Sequence, residues 1–239
     1  MTILNRILWL SFLGGIAYSS AFGLLHFDIS QKTWYERKKE RLLLGLAFGN
    51  AGIIIVIGEI EGRTLEICGK YSILYTRAEE VLLSLLAGGL LAAAYMDAKS
   101  CYVYNYVWWW CLPWAMLLLC LPRNGQPSDI VAGMIFKGIS TRQAAAMATF
   151  VILQQWLFAR MYGRADSHAF TVCALTSCRW RGEMLWFLIH MLLAVTLLAI
   201  IQLKKGNVTW RGRLRTPEPF VPYIIITFWL EILCMLLLC

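Results

Sequence analysis

The stretch LAAAYMDAKSCYVYN, residues 91–105, is an apolar run that ends on a carboxylate, Asp97. A continuous apolar run of about 18 residues or more reads as a helix able to cross a bilayer core. A carboxylate at the edge of such a run is costly. Scales give about 2.5–3.5 kcal/mol at the bilayer centre and less near the interface, so something normally offsets it. A second stretch, RMYGRADSHAF at 160–170, repeats the arrangement with Asp166.

The whole chain has the same character. Of its 239 residues, 59% are hydrophobic and 15% charged, and the mean hydropathy is +0.62. A soluble domain carries about a quarter charged residues. Apolar runs of spanning length recur, which excludes a transmembrane β-barrel, whose segments alternate over about ten residues. The composition therefore predicts an all-α, polytopic transmembrane helical bundle. Helices are expected at 7–27, 42–60, 80–97, 104–121, 143–161, 167–179, 183–203 and 219–239, with a further interfacial segment at 128–138. The helix at 167–179 is too short to span upright. The first run, Ile7 to Phe27, resembles a signal peptide, but no small-residue cleavage site follows it, so it reads as a retained helix. No internal repeat is evident, and residues 1–239 read as one integral membrane domain.

The net charge of +8 fits basic cytoplasmic loops better than nucleic-acid binding. Two loops carry most of it: SQKTWYERKKER at 30–41 and LKKGNVTWRGRLR at 203–215. Eight crossings with the N-terminus outside place both loops in the cytoplasm, and leave the mixed-charge stretch 58–80 outside. A count of seven would export one of the basic loops. The same topology brings Asp97 and Asp166 to the cytoplasmic face at similar depth.

Taken singly, each aspartate reads as a helix terminus at the interface, where charge is cheap. Taken together they can do chemistry. Two carboxyls within reach of one another cannot easily both ionise, so the pair shares a proton, as in aspartic proteases. One member acts as general base on a water while the other polarises a scissile carbonyl. That reaction needs neither metal nor cofactor. The eight cysteines form no C-x-x-C pair, and the three histidines, His26, His168 and His190, form no H-E-x-x-H, so a zinc site is not expected.

These motifs resemble those of the prepilin peptidases, intramembrane aspartyl proteases related in mechanism to the preflagellin peptidases and presenilins. The family's first motif reads here as Asp97, Lys99 and Asn105 in DAKSCYVYN. Val103-Tyr104 stands where the family often has Ile-Pro. Its second motif, G-x-G-D-x-K opening a short helix, reads as Gly163, Arg164, Ala165, Asp166, Ser167 and His168. Ala165 replaces the second Gly, and His168 replaces the Lys. A Pro-Phe-x-Pro segment before the last helix is carried by Pro219, Phe220 and Pro222 in PEPFVPYIIITF, 217–228. The resemblance covers about residues 80–239, and residues 1–79 have no counterpart. It implies catalytic Asp97 and Asp166, the bacterial cytoplasmic membrane as location, and pilin-like precursors with an apolar N-terminal helix as partners. The family's cysteine-rich insert, which accompanies N-methylation, is missing, so peptidase activity without methylation is expected. His168 suggests pH-sensitive activity or a diverged member. A catalytically inactive relative is one alternative.

Other polar residues weigh differently. Asp28 reads as an interfacial cap. Glu231, inside the last helix, reads as paired with a buried basic group or as lining a substrate path. His190 reads as an interhelical hydrogen-bonding residue. Trp108, Trp109, Trp110 and Trp114 read as an interface belt. Two other function classes remain: a proton- or cation-coupled transporter using the same acidic pair, and a cysteine peptidase built on Cys173 or Cys101 with a histidine. The transporter lacks an inverted repeat. The nearest combination for a cysteine peptidase, His168 and Cys173, faces poorly on one helix.

Overall fold

The structure is a computed structural model, and it describes residues 3–26, 37–67, 73–120, 141–181, 183–205 and 218–237. The described residues form helices and no strands. In chain order these are α1 (Ile3–His26), α2 (Arg37–Ile67), α3 (Ile73–Ser100), α4 (Asn105–Cys120), α5 (Thr141–Trp156), α6 (Arg164–Arg181), α7 (Met184–Lys204) and α8 (Val221–Leu237), with one 3₁₀ turn at Phe158–Arg160. Each corresponds to an expected helix. The expected segment at 128–138, Asp28, and most of the two basic loops lie outside the described residues.

Among the described residues, four segments are long and apolar enough to cross a membrane: Ile3–His26, Arg41–Ile60, Arg77–Ser100 and Met184–Lys204. Val221–Cys234 is apolar but shorter. These helices mark a membrane protein. The helices differ from expectation mainly at their ends. α3 runs past Asp97 to Ser100, because Ala98, Lys99 and Ser100 continue the helix and the Cys101 N–H closes it on the Asp97 carbonyl at 2.8 Å. Cys101 then turns the chain with a φ of +52°. α5 stops at Trp156, short of the expected 161, and tightens into the 3₁₀ turn.

The chain divides into two compact units. The first comprises residues 1–92 and 106–138. Small residues let its helices approach closely, as they do where no hydrophobic gradient drives helix association. Gly14 lies against the Phe48 ring, Gly88 against the Ala17 carbonyl and Ser20, and Gly89 against Cys111 and Trp110. Ser20 joins three helices: its hydroxyl donates to the Leu85 carbonyl at 3.1 Å and accepts the Trp110 indole N–H at 2.8 Å. Tyr106 donates to the Leu24 carbonyl. A buried carboxylate, Glu80, accepts from Trp9 and from Arg77, whose guanidinium also lies over the Trp9 ring.

The second unit comprises residues 93–105 and 139–239. In it α6 packs against α5, α7 and α8. Residues 169–178 of α6 are buried without a break. Two of its hydroxyls are satisfied within the helix: Thr171 donates to the Ser167 carbonyl and Thr176 to the Val172 carbonyl, both at 2.8 Å. That back-bonding lets a polar helix lie in an apolar interior. Phe150 and Phe187 pack α5 against α7, with ring centroids 5.0 Å apart.

Candidate aspartyl dyad

Asp97 and Asp166 both belong to the second unit. Asp97 sits in the last turn of α3 and is 5% exposed. A carboxylate at a helix C-terminus faces the negative end of that helix dipole. Here the conflict is offset by α8. The Val221 N–H, at the first residue of α8, donates to Asp97 Oδ2 at 2.9 Å, and the Phe220 N–H also bonds the carboxylate. Free amides at a helix N-terminus, with the positive end of the dipole, form a ready anion site. The two flanking prolines, Pro219 and Pro222, have no N–H of their own, so Phe220 and Val221 are the local donors.

Asp166 lies in the first turn of α6. Gly163 precedes that helix with a φ of +123°, and its carbonyl accepts the Ser167 N–H at 3.2 Å. A side chain is rarely tolerated there. A Cβ on Gly163 would also stand 3.3 Å from Asp166 Oδ2. The first Gly of the motif therefore has a steric reason. Ala165 lies inside α6, where its backbone is helical, so the absent second Gly withdraws no needed conformation.

The charge of Asp97 reaches Asp166. Burial first, and then the negative charge of Asp97, push the Asp166 carboxyl up to about 7. The Cys101 thiol is raised above its usual value by desolvation and then by the charges of Asp97, Glu218 and Asp166. Three carboxylates therefore act on one sulfur. The third is already occupied: Glu218 pairs with Lys205 at 3.2 Å.

An aromatic and amide frame holds this end of the unit. Tyr162 donates to the Gln154 side-chain carbonyl. Burial holds its phenol far above the usual value, and the Asp166 charge adds to this. Gln154, fully buried, also donates to Met191 Sδ at 3.0 Å. Ser167 Oγ donates to the Gln154 backbone carbonyl at 2.5 Å, which fixes the start of α6 on α5. The Tyr162, Phe170 and Phe220 rings meet edge to face, with centroids 5.7–6.1 Å apart. Sequence reasoning singled out Phe220 but missed Tyr162, Gln154 and Phe170. A Tyr just before the motif Gly was the only available hint.

The remaining motif residues have distinct places. Lys99 is exposed in the last turn of α3, and Asn105 is exposed as the first residue of α4. Pro219 and Pro222 are half-buried around the buried Phe220. His168 lies two residues beyond Asp166, about 200° around the helix. Its Nδ1 is 3.3 Å from Gln155 Nε2 on α5. Cys173 is buried in α6, whereas Cys101 is exposed. Among the described residues, no group of three or more His, Cys, Asp and Glu side chains is disposed to hold a metal ion. No family model, no curated protein and no solved structure matches the chain.

Proposed function

We propose that the protein is an intramembrane aspartyl endopeptidase that removes a short basic leader from pilin-like precursors. The observation that carries this reading is the coupled pair: Asp97 held by the start of α8, and Asp166 pushed up to about 7 partly by the Asp97 charge. At neutral pH such a pair holds one proton between two carboxyls, which is the state acid–base hydrolysis requires.

The reaction follows from that state. Asp97, as carboxylate, takes a proton from water, and the water oxygen bonds to the scissile carbonyl carbon. Protonated Asp166 donates its hydrogen bond, and then its proton, to the carbonyl oxygen. When the tetrahedral intermediate collapses, the C–N bond breaks. The leaving amine takes the proton held by Asp97, and the carbonyl oxygen returns its proton to Asp166. The dyad is then restored.

Eight crossings with the N-terminus outside, the arrangement that loop charge favours, would put both carboxyls at the cytoplasmic face of a bacterial inner membrane. A basic leader would stay in the cytoplasm while its apolar helix packs laterally, so the bond between them meets the dyad. The absence of a cysteine-rich insert supports cleavage without methylation. The test is cleavage of a panel of pilin-like precursors by purified protein, beside Asp97→Asn and Asp166→Asn. Processing by the wild type alone supports the reading. Processing that survives either substitution refutes it.

A further inference from the structure

Outside the dyad, the second unit buries another carboxyl. Glu231 on α8 is 2% exposed, and neither of its oxygens has a hydrogen-bond partner among the described residues. Its Oε2 stands 3.6 Å from Nδ1 of His190 on α7, which is equally buried. An unpartnered carboxylate in an apolar interior is costly enough to need an explanation.

The other face of the imidazole supplies one. His190 Nε2 lies 2.9 Å from the Ile224 carbonyl. A carbonyl only accepts, so Nε2 carries the hydrogen, and in the neutral ring Nδ1 presents a lone pair to Glu231. A carboxylate facing a lone pair would leave both groups unsatisfied. Two buried charges would be expensive to desolvate. A protonated Glu231, with its O–H aimed at Nδ1, satisfies the pair and locks the Nε2–H tautomer once the 3.6 Å separation closes by about half an ångström, to hydrogen-bond length. The Phe170 ring of α6 and the Phe228 ring of α8 also meet the imidazole, and the charged group that pairs with it among the described residues is Glu231.

The carbonyl that His190 holds belongs to the first turns of α8. The Ile224 N–H donates to the Phe220 carbonyl at 3.2 Å, and the Phe220 and Val221 amides hold Asp97. A second link runs through rings: Phe170 meets His190 at 5.3 Å and Phe220 at 5.8 Å. We propose that His190 is a positioning residue for the dyad, anchoring the start of α8 under Asp97, and that Glu231 serves it as a neutral hydrogen-bond donor. The catalytic half of this inference rests on the peptidase reading; the anchoring half does not.

The two halves are separated by one experiment on the purified full chain in detergent. Hydrogen–deuterium exchange is followed across residues 218–224, beside kcat and KM for a precursor, in Glu231→Gln, Glu231→Leu and His190→Phe. The carboxamide of Glu231→Gln retains an N–H donor for Nδ1, so it keeps slow exchange and wild-type kcat. Glu231→Leu and His190→Phe raise exchange in 218–224 about tenfold and lower kcat about tenfold, with KM within about twofold. If Glu231→Gln exchanges as fast as Glu231→Leu, Glu231 acts by charge and the inference is overturned. Unchanged exchange in a folded His190→Phe or Glu231→Leu overturns it equally. Should His190→Phe not fold, the two Glu231 variants decide. If the wild type cuts no precursor, the peptidase reading fails while the exchange pattern still judges the anchor. If the wild type cuts and exchange is unaffected by the variants, the anchor fails and the peptidase reading stands.

Discussion

Asp97 and Val221 are 124 positions apart in the chain and are joined by one hydrogen bond, Val221 N–H to Asp97 Oδ2 at 2.9 Å. It places a carboxylate at the C-terminal end of one helix on the amide-rich start of another. Asp97→Asn keeps the shape but sets a neutral amide, in place of a carboxylate, before two N–H donors; in the proposed reaction Asp166→Asn removes the proton donor. Each is expected to lower kcat by about 10²–10⁴, the range general acid–base groups contribute. Thermal unfolding should remain cooperative for both. Single-turnover cleavage checks the loss, and an inactive but folded protein is the expected result.

The proton on Asp166 sets a pH dependence. Its carboxyl titrates near 7 in the folded chain, against an ordinary value of 3.8. The folded state therefore holds that proton more tightly than the unfolded state between about pH 4 and 7. The group's effect on stability becomes less favourable as pH rises through that window, and is constant above it. Cleavage should fall about tenfold per pH unit above 7, because the proton donor is lost. In Asp97→Asn the neighbouring charge is gone, so Asp166 should titrate lower, with burial still holding it above 3.8. Carboxyl ¹³C NMR on labelled aspartate reads both values, and an Asp166 that titrates identically in the two proteins would show that the carboxyls are uncoupled.

The two glycine positions of the second motif should behave oppositely. Gly163→Ala puts a side chain at φ +123°, 3.3 Å from Asp166 Oδ2. Strain of that kind costs about 1–3 kcal/mol, and here it displaces the carboxyl directly, so a large fall in kcat is expected. Ala165→Gly would complete the G-x-G-D pattern that this segment resembles, yet should not raise activity. It lies within α6, where Gly costs about 1 kcal/mol against Ala. Measuring kcat and melting temperature for both variants checks the contrast. A gain from Ala165→Gly would mean the second glycine has a role beyond helix geometry.

Much of this arrangement was legible in the amino-acid sequence, and the limits have physical causes. Continuous apolar runs locate helices, so all eight described helices correspond to expected ones. Helix ends depend on local closure, which is why α3 runs on to Ser100 although the apolar run ends at Asp97. Spacing suggested the two aspartates, because each stands at the edge of an apolar run. It did not show that α8 supplies the amides for Asp97, since nothing local in 97 or in 220–221 encodes a contact across 124 positions. Gln154 gives no sign of its partners for the same reason, and Tyr162, in the turn before Gly163, offers only its place beside the motif. His190 and Glu231 were noticed separately as buried polar residues, but their pairing exists only once α7 and α8 pack.

Gln154 is the hub on which the start of α6 depends. Its side chain accepts from Tyr162 and donates to Met191, and its backbone carbonyl accepts from Ser167. Gln154→Leu leaves the half-buried Tyr162 hydroxyl without that acceptor and Met191 without its donor, together about 1–3 kcal/mol. Ser167→Ala removes a single buried donor and should cost about 1 kcal/mol. Denaturant unfolding of the two variants should rank them in that order. A Ser167 variant less stable than Gln154→Leu would mean that the α5–α6 backbone contact, and not the side-chain hub, carries this end of the unit.

Cys101 offers the last test, and it also separates the aspartyl reading from one built on a thiol. Its φ of +52° is left-handed, where an L side chain costs about 1–2 kcal/mol and glycine costs little. Its N–H closes α3 on the Asp97 carbonyl. Cys101→Gly should therefore keep that closure while relieving the strain. Stabilisation of up to about 1 kcal/mol is expected, less than the full strain because glycine gives the unfolded chain more freedom. A thiol nucleophile at this position would lose all activity on the same change. Cys101→Gly should instead retain cleavage within about twofold of the wild type, because desolvation and three carboxylates hold its thiol in the protonated, poorly nucleophilic form. Cleavage rates and melting temperatures for Cys101→Gly and Cys101→Ser decide between the two, with Ser expected to keep the strain and the activity together.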